Sequence, residues 1–236
     1  MATIAPRNRL LATLNEAEHA RIAPYLDEVR MELRTNLSRA DEPMRYAYFP
    51  HDAVASVLID VDEGELVEVG LVGAEGIVGL SLLYGEPAAQ TTVIVQIPGR
   101  VSRIPADVLV REVVTPATPF FRLLLRYANR FMVMTAQSGA CNASHGAQQR
   151  LARWMLLMQD RVGRSHFPLT QEFAALMLGV RRATVTEAAS SLRLAGAIDY
   201  QHGEIMIRDR AILETAACGC YPVMRRLMEE MVERAA

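Results

Sequence analysis

The spacing of apolar residues changes along the chain and separates a helical start from a strand region and a helical remainder. Leu10, Leu11 and Leu14 recur at helical spacing. Asn15, which is followed by acidic residues, is typical of a new helix start, so short helices are expected here. From about residue 29 to residue 104 the pattern changes to short stretches of alternating or β-branched side chains, which predict strands.

Three stretches carry this strand pattern: AVASVLIDV (53–61), ELVEVGLV (65–72) and TTVIVQI (91–97). Glycines recur between the stretches, at Gly64, Gly70, Gly73, Gly76, Gly79 and Gly85. Glycines at such intervals suit corners that need a positive φ or a close backbone approach. We therefore predict an N-terminal jelly-roll β-barrel in a chain of the α+β class.

A long helix is predicted after Pro119, because apolar residues recur there at helical spacing. One stripe comprises Phe121, Leu124, Leu125, Ala128, Phe131, Met132 and Thr135. The opposite side is also apolar, and a helix that is apolar on more than one face needs two partners. The β-roll is one candidate partner and a second copy of the chain is the other, so the stripe is a candidate homodimer interface. The stretch GACNASHG (139–146) predicts a break after this helix.

The stretch LTQEFAALMLGVRRATVTEAASSLRLAGAI (169–198) predicts two short helices joined by a tight turn. Thr170 is a good N-cap for the first helix, and Gly179 suits the left-handed turn position after it. Gly196 is expected to end the second helix. A helix, a glycine turn and a second helix at this spacing predict a helix-turn-helix, and AIDYQHGEIMIRD (197–209) predicts a two-stranded wing.

The N-terminal residues of the second helix in such a motif can enter a DNA major groove. The candidate DNA-binding residues lie there, on the first helix and on the wing: Thr170, Gln171, Arg181, Arg182, Ala183, Thr184, Thr186, Glu187, His202 and Arg208. Arginine can donate hydrogen bonds to phosphate and to guanine edges. Glu187 could accept a hydrogen bond from a cytosine amino group or simply face solvent. A winged helix used only for protein contacts remains the alternative interpretation.

The charge distribution supports a local DNA-binding patch and excludes binding through bulk charge. The chain has 236 residues and a formal net charge of −2, and its 25 basic residues are all arginine. Residues 150–210, however, contain nine arginines and six acidic residues. The basic excess is therefore concentrated around the predicted helix-turn-helix.

These motifs together resemble the Crp/Fnr family of bacterial transcription regulators, over nearly the whole chain. The resemblance implies a sensory β-roll with N-terminal helices over 1–117, a dimerisation helix and hinge over 118–145, and a winged helix-turn-helix domain over 146–236. It also implies a homodimer that binds double-stranded DNA at two roughly palindromic half-sites, about one helical turn apart. RNA polymerase and a small-molecule effector are further candidate partners.

The chain departs from the cyclic-nucleotide-binding members of this family at the candidate effector pocket. Leu80, after Gly79, stands where those members have a ribose-binding glutamate, and Gln90 and Thr91 stand where they have an arginine and a serine. A buried phosphate without its arginine would be poorly compensated, so cyclic AMP is not expected as the effector. Cys141 is the first cysteine, so the N-terminal iron–sulfur cluster of oxygen-sensing members is not expected either. No cofactor is predicted.

The residues leave room for interpretations other than an effector-controlled regulator. A ligand-independent regulator with a purely structural roll is the runner-up. A cupin-like metal enzyme needs clustered histidines, and the roll region offers only His19 and His51, so no enzyme is expected. Cys218 and Cys220 are interpreted as structural or incidental thiols, with no metal site and with redox sensing as the alternative. Sparse cysteines, no signal peptide and no membrane-length apolar run predict a cytoplasmic protein without membrane contact.

Overall fold

The structure is a computed structural model that describes residues 8–62, 65–201 and 203–233. The chain divides into two compact units. Of the described residues, the N-terminal unit contains those from 8 to 57, Leu71–Met132 and those from 228 to 233. The C-terminal unit contains Leu58–Gly70 and Val133–Leu227. No helix among the described residues is long and apolar enough to span a membrane.

The strand region forms two sheets in the described part of the chain. Its strands are β1 (Asp27–Met31), β2 (Asn36–Ser38), β3 (Tyr46–Pro50), β4 (Val54–Asp62), β5 (Glu65–Val72), β6 (Thr92–Ile97) and β7 (Gly99–Pro105). Their orders are β1-β7-β3 and β2-β6-β4-β5. The three predicted stretches are confirmed as β4, β5 and β6. The jelly-roll prediction is confirmed as a roll of two sheets, but the sheets do not close into a barrel within the described residues.

Short helices surround these strands: α1 (Glu16–Ile22), α2 (Leu80–Leu83) and α3 (Ala106–Leu109). The predicted helix start at Asn15 is confirmed, because its side chain accepts a hydrogen bond from the backbone N–H of Glu18 at 2.9 Å. One carboxylate oxygen of Glu18 accepts a hydrogen bond from the backbone N–H of Asn15 at 3.4 Å, and the other accepts one from the backbone N–H of Phe120 at 2.7 Å. One glutamate thus serves the first turns of two helices, where backbone N–H groups lack intrahelical acceptors.

The predicted long helix is α4 (Pro119–Ser144). It continues through Gly139 to Ser144, so the predicted break is confirmed but lies only at the end of the stretch 139–146, at His145 and Gly146 before α5. Glycine costs a helix interior only about 1 kcal/mol, which the neighbouring turns of a long helix can offset.

The burial of α4 corrects the predicted dimer stripe. Leu124, Ala128 and Phe131 are almost fully buried within their own chain, so they are not available to a second copy. Phe121 and Thr135 are half-buried. The exposed apolar side chains are Leu125 at 36%, Met132 at 61% and Val133 at 41%. The exposed face is therefore rotated from the predicted stripe, and it continues into small residues at Ala136, Gly139, Ala140 and Ala143.

The C-terminal unit has helices α5 (Ala147–Val162), α6 (Gln171–Leu178), α7 (Arg182–Leu194), α8 (Arg210–Ala216) and α9 (Cys220–Glu233). Strands β8 (His166–Pro168), β9 (Ile198–Gln201) and β10 (Glu204–Ile207) form a sheet in the order β8-β10-β9. Residues 65–70 of β5 also belong to this unit, where Trp154 of α5 donates from Nε1 to Glu68 at 2.8 Å. Trp154 is buried in the core of this unit.

Candidate nucleic-acid interface

The turn between α6 and α7 has the geometry that the sequence predicts. Thr170 accepts a hydrogen bond from the backbone N–H of Phe173 at 3.2 Å and caps α6. Gly179 follows α6 in the left-handed conformation, at φ 57°. Val185 of α7 is 2% exposed, which fixes the helix against the unit. Gly196 adopts a positive φ directly beyond the end of α7. The helix-turn-helix prediction is confirmed in each of these local features.

The first turns of α7 present an exposed face that is mainly polar. Its exposed residues are Arg181, Arg182, Ala183, Thr186 and Glu187, whereas Thr184 is half-buried. Arg181 takes the N-cap position without a side-chain hydrogen bond to the helix. Backbone N–H groups at such a helix start attract anions, because they lack intrahelical acceptors and lie at the positive end of the helix dipole.

Side chains of α6 and α7 form one hydrogen-bonded group on this face. Arg182 donates from Nη1 to Glu172 at 2.8 Å and from Nε to Gln171 at 3.3 Å. The hydroxyl of Thr186 donates to the same Gln171 oxygen at 3.2 Å. Both ends of the Arg182–Glu172 ion pair are more than half exposed. Gln171, Arg182 and Thr186 are thus brought together as polar groups that a DNA base or phosphate can reach.

The wing begins beside the start of α6. The backbone N–H of Leu169 donates to the carbonyl of Gly203, in the turn between β9 and β10, at 2.8 Å. Arg208, just after β10, is exposed and pairs with Asp199 at 2.9 Å. This hydrogen bond lowers the pKa of Asp199 below its ordinary value. His202, the predicted contact at the tip of the wing, lies outside the described residues.

Two residues at this interface were missed by the sequence interpretation. Glu172 was not among the candidate residues, although it forms an ion pair with Arg182. Tyr200 of β9 lies near that ion pair: partial burial raises the pKa of its phenol, Glu172 adds to the rise and Arg182 opposes it. The spacing of the motif carries no signal for either contact, because Tyr200 approaches α6 only through the fold of the wing.

The surface charge is smaller than the count of arginines suggests. Arg150 and Arg153 of α5 are 7% and 5% exposed, so neither lies on a DNA-facing surface. Arg210 is half-buried and pairs with Asp160 and Glu214. The exposed arginines between residues 150 and 210 are Arg164, Arg181, Arg182, Arg193 and Arg208. The local basic surface therefore rests on these five side chains.

The candidate effector residues do not line the cavity that is described for the N-terminal unit. Gly79 caps α2 with φ 118°, and Gln90 is exposed. A cavity of about 570 Å³ lies instead between the end of α2 and the α3 region, where it is lined by Met44, Leu82, Gly85, Glu86, Pro87, Ala106, Asp107, Val110, Arg111 and Thr115. None of Gly79, Leu80, Gln90 and Thr91 lines this cavity.

Comparison with a family model supports the DNA-binding interpretation of the C-terminal unit. Residues 149–216 match the Crp-like helix-turn-helix domain. The match spans most of α5, the α6–α7 pair, the wing and α8. This part of the chain is therefore a DNA-binding domain of the winged helix-turn-helix class.

Solved structures show the same fold along most of the chain, while no curated protein matches it. FixK2 from Bradyrhizobium japonicum is 17% identical and covers 82% of this chain and 98% of its own, with a TM-score of 0.69. CLP from Xanthomonas campestris, described as a c-di-GMP-responsive global regulator, is 13% identical. It covers 83% of this chain and 100% of its own, with a TM-score of 0.67. A CRP-family transcriptional regulator from Thermus thermophilus is 19% identical. It covers 80% of this chain and 96% of its own, also with a TM-score of 0.67.

The family match assigns the helix-turn-helix, and the solved structures show that the fold of the chain is that of Crp/Fnr regulators. These findings support a DNA-binding transcription regulator: residues 149–216 are a Crp-like helix-turn-helix domain, and the chain has the fold of Crp/Fnr regulators, which its sequence resembles.

Proposed function

We propose that the chain regulates transcription as a homodimer that binds a roughly palindromic DNA site. The observation that carries this proposal is the exposed face at the start of α7, where Arg182, Gln171 and Thr186 are joined by hydrogen bonds. Such a helix start can enter a major groove, and paired readers contact half-sites about 34 Å apart. Arg181 and Arg208 would contact phosphate, and Arg182 a base edge or phosphate.

The exposed apolar face of α4 supports the homodimer. Met132, Leu125 and Val133 are large apolar side chains that water contacts in the single chain. The small residues that follow them would allow a second α4 to approach closely. A second copy of α4 is therefore the proposed occupant of this face, and RNA polymerase would bind elsewhere on the DNA-bound dimer, in the cytoplasm.

The N-terminal unit is proposed to have a sensory or structural role and no enzymatic activity. His51 is buried, and its two ring nitrogens contact the backbone N–H of Asn8 and the hydroxyl of Ser102. His19 lies on the exposed side of α1. These two histidines therefore do not favour a cupin-like metal centre. Leu80, Gln90 and Thr91 favour an effector other than cyclic AMP.

Selection of bound duplexes from a random DNA library, without added ligand, tests the proposal. The wild-type protein should enrich a palindromic motif. A variant with Arg181→Glu and Arg182→Glu should enrich none. The matched control reverses the charge of two exposed arginines of the N-terminal unit, by Arg30→Glu and Arg39→Glu. It should enrich the same motif as the wild type. Enrichment by the first variant equal to that of the wild type would contradict the assignment of α7.

Thermal unfolding with a metabolite panel distinguishes a ligand-dependent from a ligand-independent regulator. A ligand that binds only the folded protein raises the Tm. The panel should include cyclic AMP and c-di-GMP, because CLP is described as responsive to the latter. A Tm increase with cyclic AMP would contradict the proposed effector class, and no increase with any ligand would favour a structural roll.

A further inference from the structure

Three cysteines and one histidine meet inside the C-terminal unit. Cys141 and His145 lie one helical turn apart at the end of α4, and Cys218 and Cys220 lie at the start of α9. Their four ligand atoms all lie within 4.8 Å of one another. The Sγ atoms of Cys141 and Cys218 are 3.4 Å apart, and Sγ of Cys220 is 3.7 Å from Nδ1 of His145.

We propose that this cluster is a structural metal site, in which Cys141, His145, Cys218 and Cys220 bind one Zn²⁺ ion. Tetrahedral zinc with bonds of about 2.0–2.3 Å places neighbouring ligand atoms roughly 3.3–3.8 Å apart. The Cys141–Cys218 distance of 3.4 Å and the Cys220–His145 distance of 3.7 Å both lie in this range. Three thiolates and an imidazole are a donor set that selects zinc over the hard cations that prefer oxygen.

The local structure brings the four ligands together without strain of the chain. His145 directly follows α4, but its backbone N–H still donates to the carbonyl of Cys141 at 3.0 Å, so the two residues keep helical spacing and share a face. Cys218 and Cys220 are separated only by Gly219, which is exposed and has no neighbouring atom that a side chain would meet. Cys220 is the first residue of the 14-residue helix α9, whose dipole favours a thiolate there.

Two buried arginines supply a second observation that points to an anionic centre. Arg150 donates to the carbonyl of Leu178, and Arg153 contacts the sulfur of Met224 at 3.1 Å. The Nε atom of each has no hydrogen-bond partner among the described residues. Burial raises the pKa of the Cys141 thiol to about 12, but both guanidinium groups lie close enough to stabilise a thiolate at this position.

A zinc ion with three thiolates and a neutral imidazole carries a net negative charge. This charge would compensate the buried guanidinium groups of Arg150 and Arg153, which are costly when unpaired. Because all four ligands come from the protein, the site would have no open position for catalysis. Its role would be to fix the start of α9 to the end of α4.

The free cysteines also allow a different outcome, a disulfide between Cys141 and Cys218. Their sulfurs are 3.4 Å apart, whereas a bonded pair is about 2.05 Å apart. Such a bond would remove two of the four ligands, so the disulfide and the zinc site exclude each other. An experiment that measures metal and thiols on the same sample separates them.

The full-length protein should be purified under reducing conditions and its zinc content measured by mass spectrometry. We expect about one zinc ion per chain, and Co²⁺ exchanged into the site should give the visible bands of a tetrahedral ion and a thiolate charge-transfer band. His145→Ala and Cys218→Ser should lose the metal. His19→Ala, which removes an exposed histidine of α1, is the matched control and should retain it.

A chelator provides a second readout, which needs no variant: it should lower the Tm of the wild-type protein. Where Cys218→Ser folds, the chelator should leave the Tm of that variant unchanged. Reduced wild-type protein that binds neither Zn²⁺ nor Co²⁺, or a Cys141–Cys218 disulfide in metal-free isolated protein, would overturn the proposal. The result does not depend on DNA binding, because metal content is measured on the protein alone.

Discussion

Arg182 at the start of α7 forms an ion pair with Glu172 in the first turn of α6, with 2.8 Å between Nη1 and Oε1. The same guanidinium donates to Gln171. The two helices of the motif are therefore linked by the side chain that is the main candidate for a base contact. In the protein without DNA this pair orients Arg182. On DNA, Glu172 must either share the guanidinium with the DNA or release it.

Arg182→Ala should weaken binding to the selected duplex by about 1–3 kcal/mol and relax specificity at one position of each half-site. The loss follows because a guanidinium that contacts a guanine edge or a phosphate through two N–H groups has no substitute in alanine. Fluorescence anisotropy on duplexes with each base at that position measures both effects. Arg39→Ala, at an exposed position of the N-terminal unit, is the control, and unchanged affinity in Arg182→Ala would refute the assignment.

Glu172→Gln should tighten DNA binding by about two- to fivefold. An exposed ion pair contributes only about 0.2–1 kcal/mol, and that stabilisation of the protein without DNA is lost when Arg182 turns to the duplex. Removal of the carboxylate also removes repulsion from phosphate. Anisotropy at a fixed salt concentration measures the change. In an Arg182→Ala background the substitution should have a smaller effect, and an equal effect would show that the two side chains act independently.

Arg208→Ala should weaken binding to all duplexes by similar factors and reduce its dependence on salt. Each phosphate contact contributes about 0.9 to the slope of log affinity against log salt, so a dimer that loses two contacts should lose roughly 1.8. Titrations between low and moderate salt give the slope. Arg208→Lys keeps the charge and should keep the wild-type slope. A sequence-dependent loss would instead indicate a base contact by the wing.

Gly179→Ala should destabilise the C-terminal unit more than Gly163→Ala. Both glycines have left-handed φ values, 57° and 65°, where an alanine costs roughly 1–2 kcal/mol. A Cβ at Gly163 would meet no atom, whereas one at Gly179 would lie 3.3 Å from Val67. Urea unfolding measures the difference. Val67→Ala removes the side chain that the new Cβ would meet. The loss in free energy of unfolding caused by Gly179→Ala should therefore be smaller in a Val67→Ala protein than in the wild type.

Local sequence patterns predicted the elements of this fold well, because strand alternation, caps and turn glycines act over a few residues. They could not assign burial around α4. Leu124 and Leu125 are adjacent and chemically identical, yet Leu124 is 0% and Leu125 36% exposed. Residues far away in the chain decide this difference, as the ring contact between Phe120 of α4 and Phe49 of β3 illustrates.

The same limit applies to the charged and metal-ligating residues. Arg150 and Arg153 counted toward a basic surface, but the fold buries both beside the thiol cluster. Cys218 and Cys220 were recognised as a pair, whereas His145 was not considered with them. Its one-turn spacing from Cys141 was a readable signal. The convergence of the two pairs, 77 residues apart between Cys141 and Cys218, was not, because it depends on the packing of α9.

Met132→Glu should convert the proposed dimer to a monomer and abolish binding to a palindromic duplex. Met132 is the most exposed large apolar residue of α4, at 61%, so a glutamate fits the single chain and disfavours only a buried interface. Light scattering coupled to size-exclusion chromatography gives the mass. Leu33→Glu, at a 45% exposed apolar position of the N-terminal unit, is the matched control and should remain dimeric. A dimeric Met132→Glu protein would show that the subunits associate through another surface than this face of α4.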